Sequence, residues 1–318
     1  MIRLDLITGF LGAGKTTFLL RYAEYLLRRG EKIGILVYDH GALNVDLPLL
    51  STLRSARCEL ETLAGGCGTD CRRRRFRTRL IAMSMADYDR VIIEPSGVFD
   101  MDEFFDTIHE PPLDSKYEAG SVIAVVDAQL EENLSPEEDF FLASQAADAG
   151  AILLSRCQLS TEEEIDGCLD HLDRAAAKIR CREPLREKVI VKEWDALTDA
   201  DFESLADCGY HCADYVKTIA GSDGGFQSLP FLNLTMDPET LREKTMALFH
   251  DTSYGRVLRV KGITADAGRF RQFNATPDSF RTGPSADGRP ALLVIGTGLN
   301  EDNINLLLTG TRPEHHIL

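Results

Sequence analysis

The feature that most constrains the fold of this chain is the segment TGFLGAGKTT at residues 8–17. It carries the P-loop signature, in which two glycines separated by four residues are followed by Lys15 and Thr16. A run typical of a strand, residues 2–7, precedes it, and a run typical of a helix, residues 16–29, follows it. Glycines let consecutive backbone N–H groups surround a phosphate, and the helix dipole points its positive end at the same place. The sequence therefore predicts a site for a nucleoside triphosphate.

Individual positions of the P-loop have predicted tasks. We expect the amine of Lys15 to reach the β- and γ-phosphates and the hydroxyl of Thr16 to bind Mg²⁺. The whole predicted phosphate-binding set is Gly9, Gly12, Ala13, Gly14, Lys15, Thr16 and Thr17.

A second motif supplies what hydrolysis requires besides a P-loop. Residues 91–97 read as an apolar strand that ends in Glu94, with Gly97 three residues later. This pattern is typical of a Walker B element. We expect Glu94 to hold the water shell of Mg²⁺, and the backbone N–H of Gly97 to contact the γ-phosphate.

Acidic residues also follow the predicted strand at 33–38. Asp39 is the first choice for a carboxylate near the γ-phosphate or Mg²⁺, and Asp46 is the second. Either acid can instead be an ordinary solvated loop residue. The predicted catalytic set is thus Lys15, Thr16, Asp39 and Glu94, of which the last three are the predicted Mg²⁺ ligands.

Strand-like and helical segments alternate through the first two-thirds of the chain. The predicted strands are residues 2–7, 33–38, 90–94, 121–127, 151–155 and 188–192, with helices between them such as 16–29 and 161–180. The strands are nearly continuously apolar, which suits a parallel sheet buried on both faces. We therefore predict an α/β fold, that of a P-loop NTPase with a doubly wound, mostly parallel sheet.

The composition changes to a linker type at residues 218–228. We predict a P-loop nucleotide-binding domain at 1–220 and a smaller C-terminal α+β domain at 229–318. The predicted elements of the smaller domain are strand 231–235, helix 238–249, strands 256–262, 269–275 and 290–296, and helix 300–308. Pro277, Gly283, Pro284 and Gly288 predict a long loop between its last two strands.

Charge and composition restrict the partners. The 35 basic and 51 acidic residues give a net charge of −16, which repels phosphate backbones, so we expect no nucleic acid partner. No apolar stretch approaches about 18 residues, so we expect no membrane span. The first residues enter a strand directly, which leaves no room for a signal peptide, and eight cysteines without export signals indicate reduced thiols. We therefore expect a cytoplasmic protein.

Through five matches in the right order, the chain resembles the CobW-like GTPases. These are a metallochaperone family related to the hydrogenase and urease nickel-insertion GTPases. The matching segments are GFLGAGKTT, residues 94–97, 125–128 and 144–148, and the C-terminal pair 255–262 and 292–296. The resemblance implies a Mg²⁺-dependent GTPase that cycles between GTP and GDP. It also implies a client, either a metalloenzyme or a cobalamin-dependent protein, and it allows a homodimer.

The base-recognition segment departs from the family's Asn-Lys-x-Asp signature. Here Ser155 and Arg156 are followed by Cys157 and Gln158. Gln158 offers one carbonyl oxygen where the family's aspartate accepts two N–H groups, a loss of about 1–3 kcal/mol of guanine preference. Arg156 can still stack on a purine face. Ser155 and Arg156 remain predicted nucleotide-binding residues, and ATP and ADP remain alternatives to GTP and GDP.

The family's C-x-C-C metal motif is replaced by Cys67 and Cys71 with three residues between them. Two thiolates at this spacing can chelate Zn²⁺ or Co²⁺ when the loop bends. Further candidate ligands in the sequence are Asp39, His40, Cys58, Glu59, Glu61 and Asp70. The alternative is two ordinary thiols in a loop.

Two other functions share the P-loop. The chain can be a nucleotide-gated protein-binding module with little turnover and no metal transfer. It can also be a small-molecule kinase, which needs an acceptor pocket in addition.

Overall fold

The computed structural model describes residues 1–39, 47–64, 69–131, 133–217, 225–266, 269–277, 279–285 and 290–311. The chain divides into two compact units, Met1–Asp39 with Leu50–Gly224 and His40–Leu49 with Gly225–Leu318. The boundaries that we placed at 220 and 229 stay a prediction.

A seven-stranded parallel sheet forms the centre of the first unit. Its strands are Ile2–Thr8 (β1), Ile33–Asp39 (β2), Cys58–Ala64 (β3), Arg90–Pro95 (β4), Tyr117–Asp127 (β5), Ala151–Ser155 (β6) and Val189–Ile190 (β7). Their order across the sheet is β3-β2-β4-β1-β5-β6-β7, with every neighbouring pair parallel. All residues of β4 and β6 are buried, as expected for a sheet covered on both faces. The predicted α/β class is confirmed.

The sequence analysis missed β3. Its residues, CELETLA, mix polar and apolar side chains, which suits β3 as an edge strand of the sheet. A search for continuously apolar runs finds only strands that are buried on both faces.

Six helices connect the described parallel strands, and a seventh follows the last of them. They are Lys15–Arg28 (α1), Leu47–Leu50 (α2), Thr69–Met83 (α3), Met101–Ile108 (α4), Pro136–Asp148 (α5), Glu162–Lys178 (α6) and Asp199–Ala206 (α7). Capping boxes set the first residues of three of them. Ser135, Thr161 and Thr198 each accept the backbone N–H of the third helical residue, whose carboxylate accepts the N–H of the cap.

A buried polar cluster joins the central strands to α1. The Asp5 carboxylate is fully buried, and it accepts hydrogen bonds from Arg90 (2.6 Å), Tyr22 (2.7 Å) and the backbone N–H of Ser121 (2.8 Å). Arg90, which is 5% exposed, also donates to the Glu31 carboxylate at 3.1 Å. Each buried charge is stabilised only while its partners remain, because its hydration has been lost.

We predict that Arg90→Leu lowers the free energy of unfolding by about 3–5 kcal/mol, because it leaves the Asp5 carboxylate buried and uncompensated. Urea denaturation measures this change. The control is Arg28→Leu, since the pair of Arg28 with Asp199 is exposed and worth no more than about 1 kcal/mol. Equal losses from both variants would contradict the buried pair.

Asp148 at the end of α5 holds the segment that follows α7. Its carboxylate accepts the backbone N–H of Ala213 at 3.0 Å and the hydroxyl of Tyr215 at 3.1 Å. Burial raises the pKa of the Asp148 carboxyl to about 6. Because the folded chain holds this proton more tightly than the unfolded chain, ionisation of Asp148 between about pH 4 and about pH 6 destabilises the fold.

We predict that Asp148→Asn removes this part of the pH dependence. The free energy of unfolding of the variant minus that of the unaltered chain should increase by about 2 kcal/mol when the pH is raised from about 4 to about 7. Urea denaturation at a series of pH values measures it. Asp166→Asn, at an exposed position of α6, is the control and should show a constant difference. A constant difference for Asp148→Asn as well would contradict the raised pKa.

Among its described residues from 225 onward, the second unit contains a five-stranded antiparallel sheet and two helices. These elements are Phe226–Leu232 (β8), Pro238–His250 (α8), Arg256–Asp266 (β9), Arg269–Thr276 (β10), Ser279–Pro284 (β11), Ala291–Thr297 (β12) and Glu301–Thr309 (α9). The strand order is β11-β10-β9-β12-β8. Leu292 and Val294 of β12 share one hydrophobic cluster with Leu241 and Leu248 of α8 and Ile304 of α9. Such an α+β unit was predicted.

Two details of this unit correct the sequence analysis. The strand predicted at 231–235 lies at Phe226–Leu232, five residues earlier at its start. The loop predicted from Pro277 to Gly288 contains β11, which pairs with β10. A proline is tolerated at the end of β11 because this is an edge strand, where a missing N–H does not interrupt the sheet.

In the part of the chain that the structure describes, no helix combines the length and the apolar character needed to cross a bilayer.

Candidate nucleotide-binding site

The P-loop leaves β1 in close contact with the neighbouring strand β5. Gly9 has φ +140°, and a β-carbon there would lie 2.2 Å from the carbonyl oxygen of Val125. No other residue type fits this position, since such a contact is far inside the van der Waals distance. The loop then ends at Gly14, and α1 begins with Lys15.

Lys15 points back into the loop that it follows. Its side chain is buried, and its Nζ donates to the carbonyl oxygens of Gly9 (2.8 Å) and Phe10 (3.3 Å). The ammonium group is therefore inside the curve of the P-loop, where the sequence predicts the phosphates. Of the other predicted loop residues, Ala13 is buried and Thr17 is exposed in the first turn of α1.

Thr16 meets Glu94 at the carboxyl edge of the sheet. The Thr16 hydroxyl donates to Oε1 of Glu94 at 2.6 Å, and the Glu94 side chain is only 5% exposed. A hydroxyl and a carboxylate side by side are oxygen donors of the kind that Mg²⁺ prefers, so this pair fits the ion that the sequence predicts.

Asp39 ends β2 at the same edge. Strand β2 lies beside β4, and Val37 is the register partner of Glu94, so Asp39 lies two positions beyond Glu94 along the strand direction. Asp46, the second choice, lies outside the described residues.

The segment after β4 packs directly on the P-loop. A β-carbon at Gly97 would lie 2.5 Å from the backbone nitrogen of Leu11. From α5, Nε2 of Gln145 donates to the carbonyl oxygens of Gly97 and Phe99, each at 3.2 Å. Gln145 was part of the family resemblance, and its contacts show how α5 supports the segment carrying Gly97.

The end of β6 approaches the P-loop from the other side. The Arg156 guanidinium donates to the carbonyl oxygen of Gly12 at 3.1 Å and is paired with the carboxylate of Asp127. Ser155 is 4% exposed, and its hydroxyl has no hydrogen-bond partner among the described residues. Gln158, in contrast, is exposed. The two residues predicted to bind the nucleotide base thus lie beside the loop.

Trp194, which the sequence analysis missed, completes this side. Its indole Nε1 donates to the carbonyl oxygen of Leu154 at 3.0 Å. A β-carbon at Gly14 would lie 3.1 Å from its Cη2 atom. A signal was available, because Trp194 is the only tryptophan of the chain and follows the last predicted strand of the sheet at its carboxyl end.

A family model described as CobW/HypB/UreG, nucleotide-binding domain, matches residues 4–187. The chain belongs to this family. The match confirms the predicted resemblance and covers all the residues above except Trp194.

Curated proteins with similar sequences include relatives named for zinc. The Zinc chaperone YjiA of Escherichia coli (strain K12) is 30% identical over 194 residues, which are 58% of this chain and 56% of the relative. Zinc-regulated GTPase metalloprotein activator 1 of Dictyostelium discoideum is 24% identical over 227 residues, 58% of this chain and 47% of the relative. The chain spans about half the length of the curated relatives it matches.

A solved structure of Zn(II)-bound YjiA GTPase from E. coli is 20% identical, covering 98% of this chain and 99% of that chain with a TM-score of 0.38.

The predicted thiol site of this CobW/HypB/UreG chain is only partly described. Cys71 is the third residue of α3 and is half-buried. Cys67, His40 and the side chain of Asp70 lie outside the described residues. Within the described ranges, no three His, Cys, Asp or Glu side chains are grouped closely enough to hold a metal ion.

Three other candidate ligands are placed elsewhere. Cys58 begins β3, about 20 Å along the strand from its carboxyl end, and burial raises the pKa of its thiol to about 11. Glu59 accepts a hydrogen bond from Tyr88, and Glu61 pairs with Arg79. These side chains therefore serve the packing of β3, which the sequence analysis had not recognised as a strand.

We predict that Gly97→Ala weakens nucleotide binding about tenfold or more, which is about 1.4 kcal/mol, because the added methyl group displaces the P-loop backbone at Leu11. Calorimetric titration with GDP and ADP measures the affinity. The matched control is Gly167→Ala in α6, where an added β-carbon meets nothing within 4 Å. An unchanged affinity in Gly97→Ala would show that the P-loop tolerates a shift at this contact.

Proposed function

We propose that this chain is a metallochaperone GTPase. It hydrolyses GTP, or another purine nucleoside triphosphate, and uses the nucleotide state to deliver a metal to a metalloprotein or to activate it. The observation that carries the proposal is the 2.6 Å contact between Thr16 of the P-loop and Glu94 of β4. This contact connects the P-loop to an acid at the carboxyl edge of the sheet, where the γ-phosphate of a bound triphosphate would lie.

The residues of the site have separate roles in this proposal. The Lys15 amine, held inside the loop by the carbonyl groups of Gly9 and Phe10, donates to the β- and γ-phosphate oxygens. Thr16 and Glu94 supply oxygen ligands for Mg²⁺, which when bound neutralises charge on those phosphates. Asp39, at the end of the adjacent strand, orients the attacking water or the water shell of the ion.

Nucleotide state and metal delivery are coupled through the carboxyl edge of the sheet. Glu94 lies on β4, β4 pairs with β2, and β2 pairs with β3, after which the chain leads into α3 with Cys71. Loss of the γ-phosphate changes the contacts at this edge, and segments that follow the strands can respond to it. We propose Cys67 and Cys71 as ligands of the transported ion.

The names of the relatives suggest what this ion is. One is named a zinc chaperone and another a zinc-regulated GTPase metalloprotein activator, and we propose Zn²⁺ as the cargo, with Co²⁺ as the alternative. The proposed client is a metalloenzyme or a cobalamin-dependent protein.

We predict that the chain releases phosphate from GTP or ATP in the presence of Mg²⁺, and that Lys15→Ala and Glu94→Gln each lower the rate about 100-fold or more. Lys15→Ala removes positive charge beside the transferred phosphate, and Glu94→Gln removes a carboxylate that would hold Mg²⁺ there. Steady-state phosphate release measures the rate. Glu24→Gln, at an exposed position of α1, is the matched control and should leave the rate unchanged.

The same assay separates the proposal from its alternatives. Metal delivery requires that Zn²⁺ or Co²⁺ alter turnover and that Cys67→Ser combined with Cys71→Ser remove the response. Nucleotide binding with no turnover and no response to metal would favour a nucleotide-gated protein-binding module. Transfer of the γ-phosphate to an added metabolite would indicate a small-molecule kinase.

A further inference from the structure

The strand order determines on which side of the P-loop a nucleotide base can lie. The loop follows β1, which lies between β4 and β5. On the β4 side, Thr16 and Glu94 are in contact and mark the end where the γ-phosphate and Mg²⁺ belong. The ribose and base of a bound nucleotide must therefore extend toward the β5 and β6 side. This step rests on the proposed nucleotide site.

Two flat side chains lie on that side, next to the P-loop. Arg156 contacts the loop through the carbonyl oxygen of Gly12. The Trp194 indole lies against Gly14, the last loop residue before α1. Both lie near β6, because Arg156 follows this strand and Trp194 donates to the carbonyl oxygen of Leu154.

Trp194 is placed differently from a core aromatic residue. Its neighbour Phe18 is fully buried, and the two rings meet edge to face with their centroids 5.7 Å apart, whereas Trp194 itself is only half-buried. Its only polar atom already donates to Leu154, so the ring is held in a defined orientation. A fixed, partly exposed indole next to a phosphate loop is suited to stacking on a base.

The segment that follows β6 does not select guanine. A guanine-selective site needs a carboxylate that accepts two N–H groups, and the sequence from Ser155 to Leu159 contains no acid. The neighbouring acid, Asp127, accepts the backbone N–H of Gln129 at 3.1 Å and is paired with Arg156. The buried Ser155 hydroxyl, which has no partner among the described residues, can donate or accept, so it suits either purine.

We propose that Trp194 is a base-stacking residue, and that with Arg156 it binds guanine and adenine nucleotides with little discrimination. Stacking provides the affinity, because every base has an aromatic face and the arginine adds a cation–π contribution. Binding by stacking differs from recognition by hydrogen bonds, because a site that recognises a base by hydrogen bonds rejects any base that leaves its polar groups unpaired.

The test uses the single tryptophan as its own reporter. The full chain is titrated with GDP, ADP and inorganic tripolyphosphate while tryptophan fluorescence is followed and calorimetry gives the affinities. We expect GDP and ADP to change the fluorescence and to bind with affinities that differ less than about tenfold. Tripolyphosphate should bind and leave the fluorescence nearly unchanged, because it has no base.

Substitution separates stacking from a supporting role. Trp194→Ala should weaken GDP and ADP about tenfold or more, and Trp194→Phe, which keeps an aromatic face, should restore most of the affinity. Tripolyphosphate affinity should stay within about twofold in both variants, with urea denaturation checking that they are folded.

Several outcomes would overturn the inference. An equal loss of nucleotide and tripolyphosphate binding in Trp194→Ala would make Trp194 a support of the P-loop only. A guanine preference above about tenfold would show that another group reads the base. Failure of the unaltered chain to bind any of the three ligands would overturn the proposed nucleotide site itself, which distinguishes that failure from the first two.

Discussion

Close packing of the P-loop backbone between two neighbouring segments is the constraint on which the rest of this structure depends. At Gly9 the loop touches the carbonyl of Val125 on β5, and at Leu11 it touches Gly97 after β4. A side chain at either glycine would occupy space that backbone atoms already fill. The loop is therefore held by backbone on both sides, and the Lys15 ammonium and the first turn of α1 keep one position relative to the sheet.

Sheet order then divides the site into two parts with different chemistry. The β4 side brings a hydroxyl and a carboxylate together, which suits phosphate chemistry with a divalent ion. The β5 and β6 side brings a guanidinium, an indole and a buried hydroxyl together, which suits a flat base. In the proposed mechanism, only the first part is linked through β2 and β3 to the segment that carries Cys71. In this proposal the nucleotide state can thus act on the segment with the proposed metal ligands whichever purine is bound.

Much of the fold could be predicted from the sequence, and the misses have physical causes. Strands buried on both faces, such as β4 and β6, are mostly apolar; the prediction for β4 ended one residue early, and that for β6 was correct. The edge strands β3 and β11 were missed, since one mixes polar and apolar residues and the other contains turn-forming residues. Trp194 was missed because its position after the last predicted strand does not by itself show that it lies against Gly14 of the P-loop.

The sequence by itself determined the P-loop, the acid at the end of β4 and the α/β class, because each depends on residue types at short, fixed spacings. Only the tertiary structure decided which side chains meet at the site. Thr16 and Glu94 are 78 positions apart, and Arg156 lies 144 positions from the Gly12 carbonyl that it contacts. Such contacts follow from the order of strands in the sheet, which local periodicity does not encode.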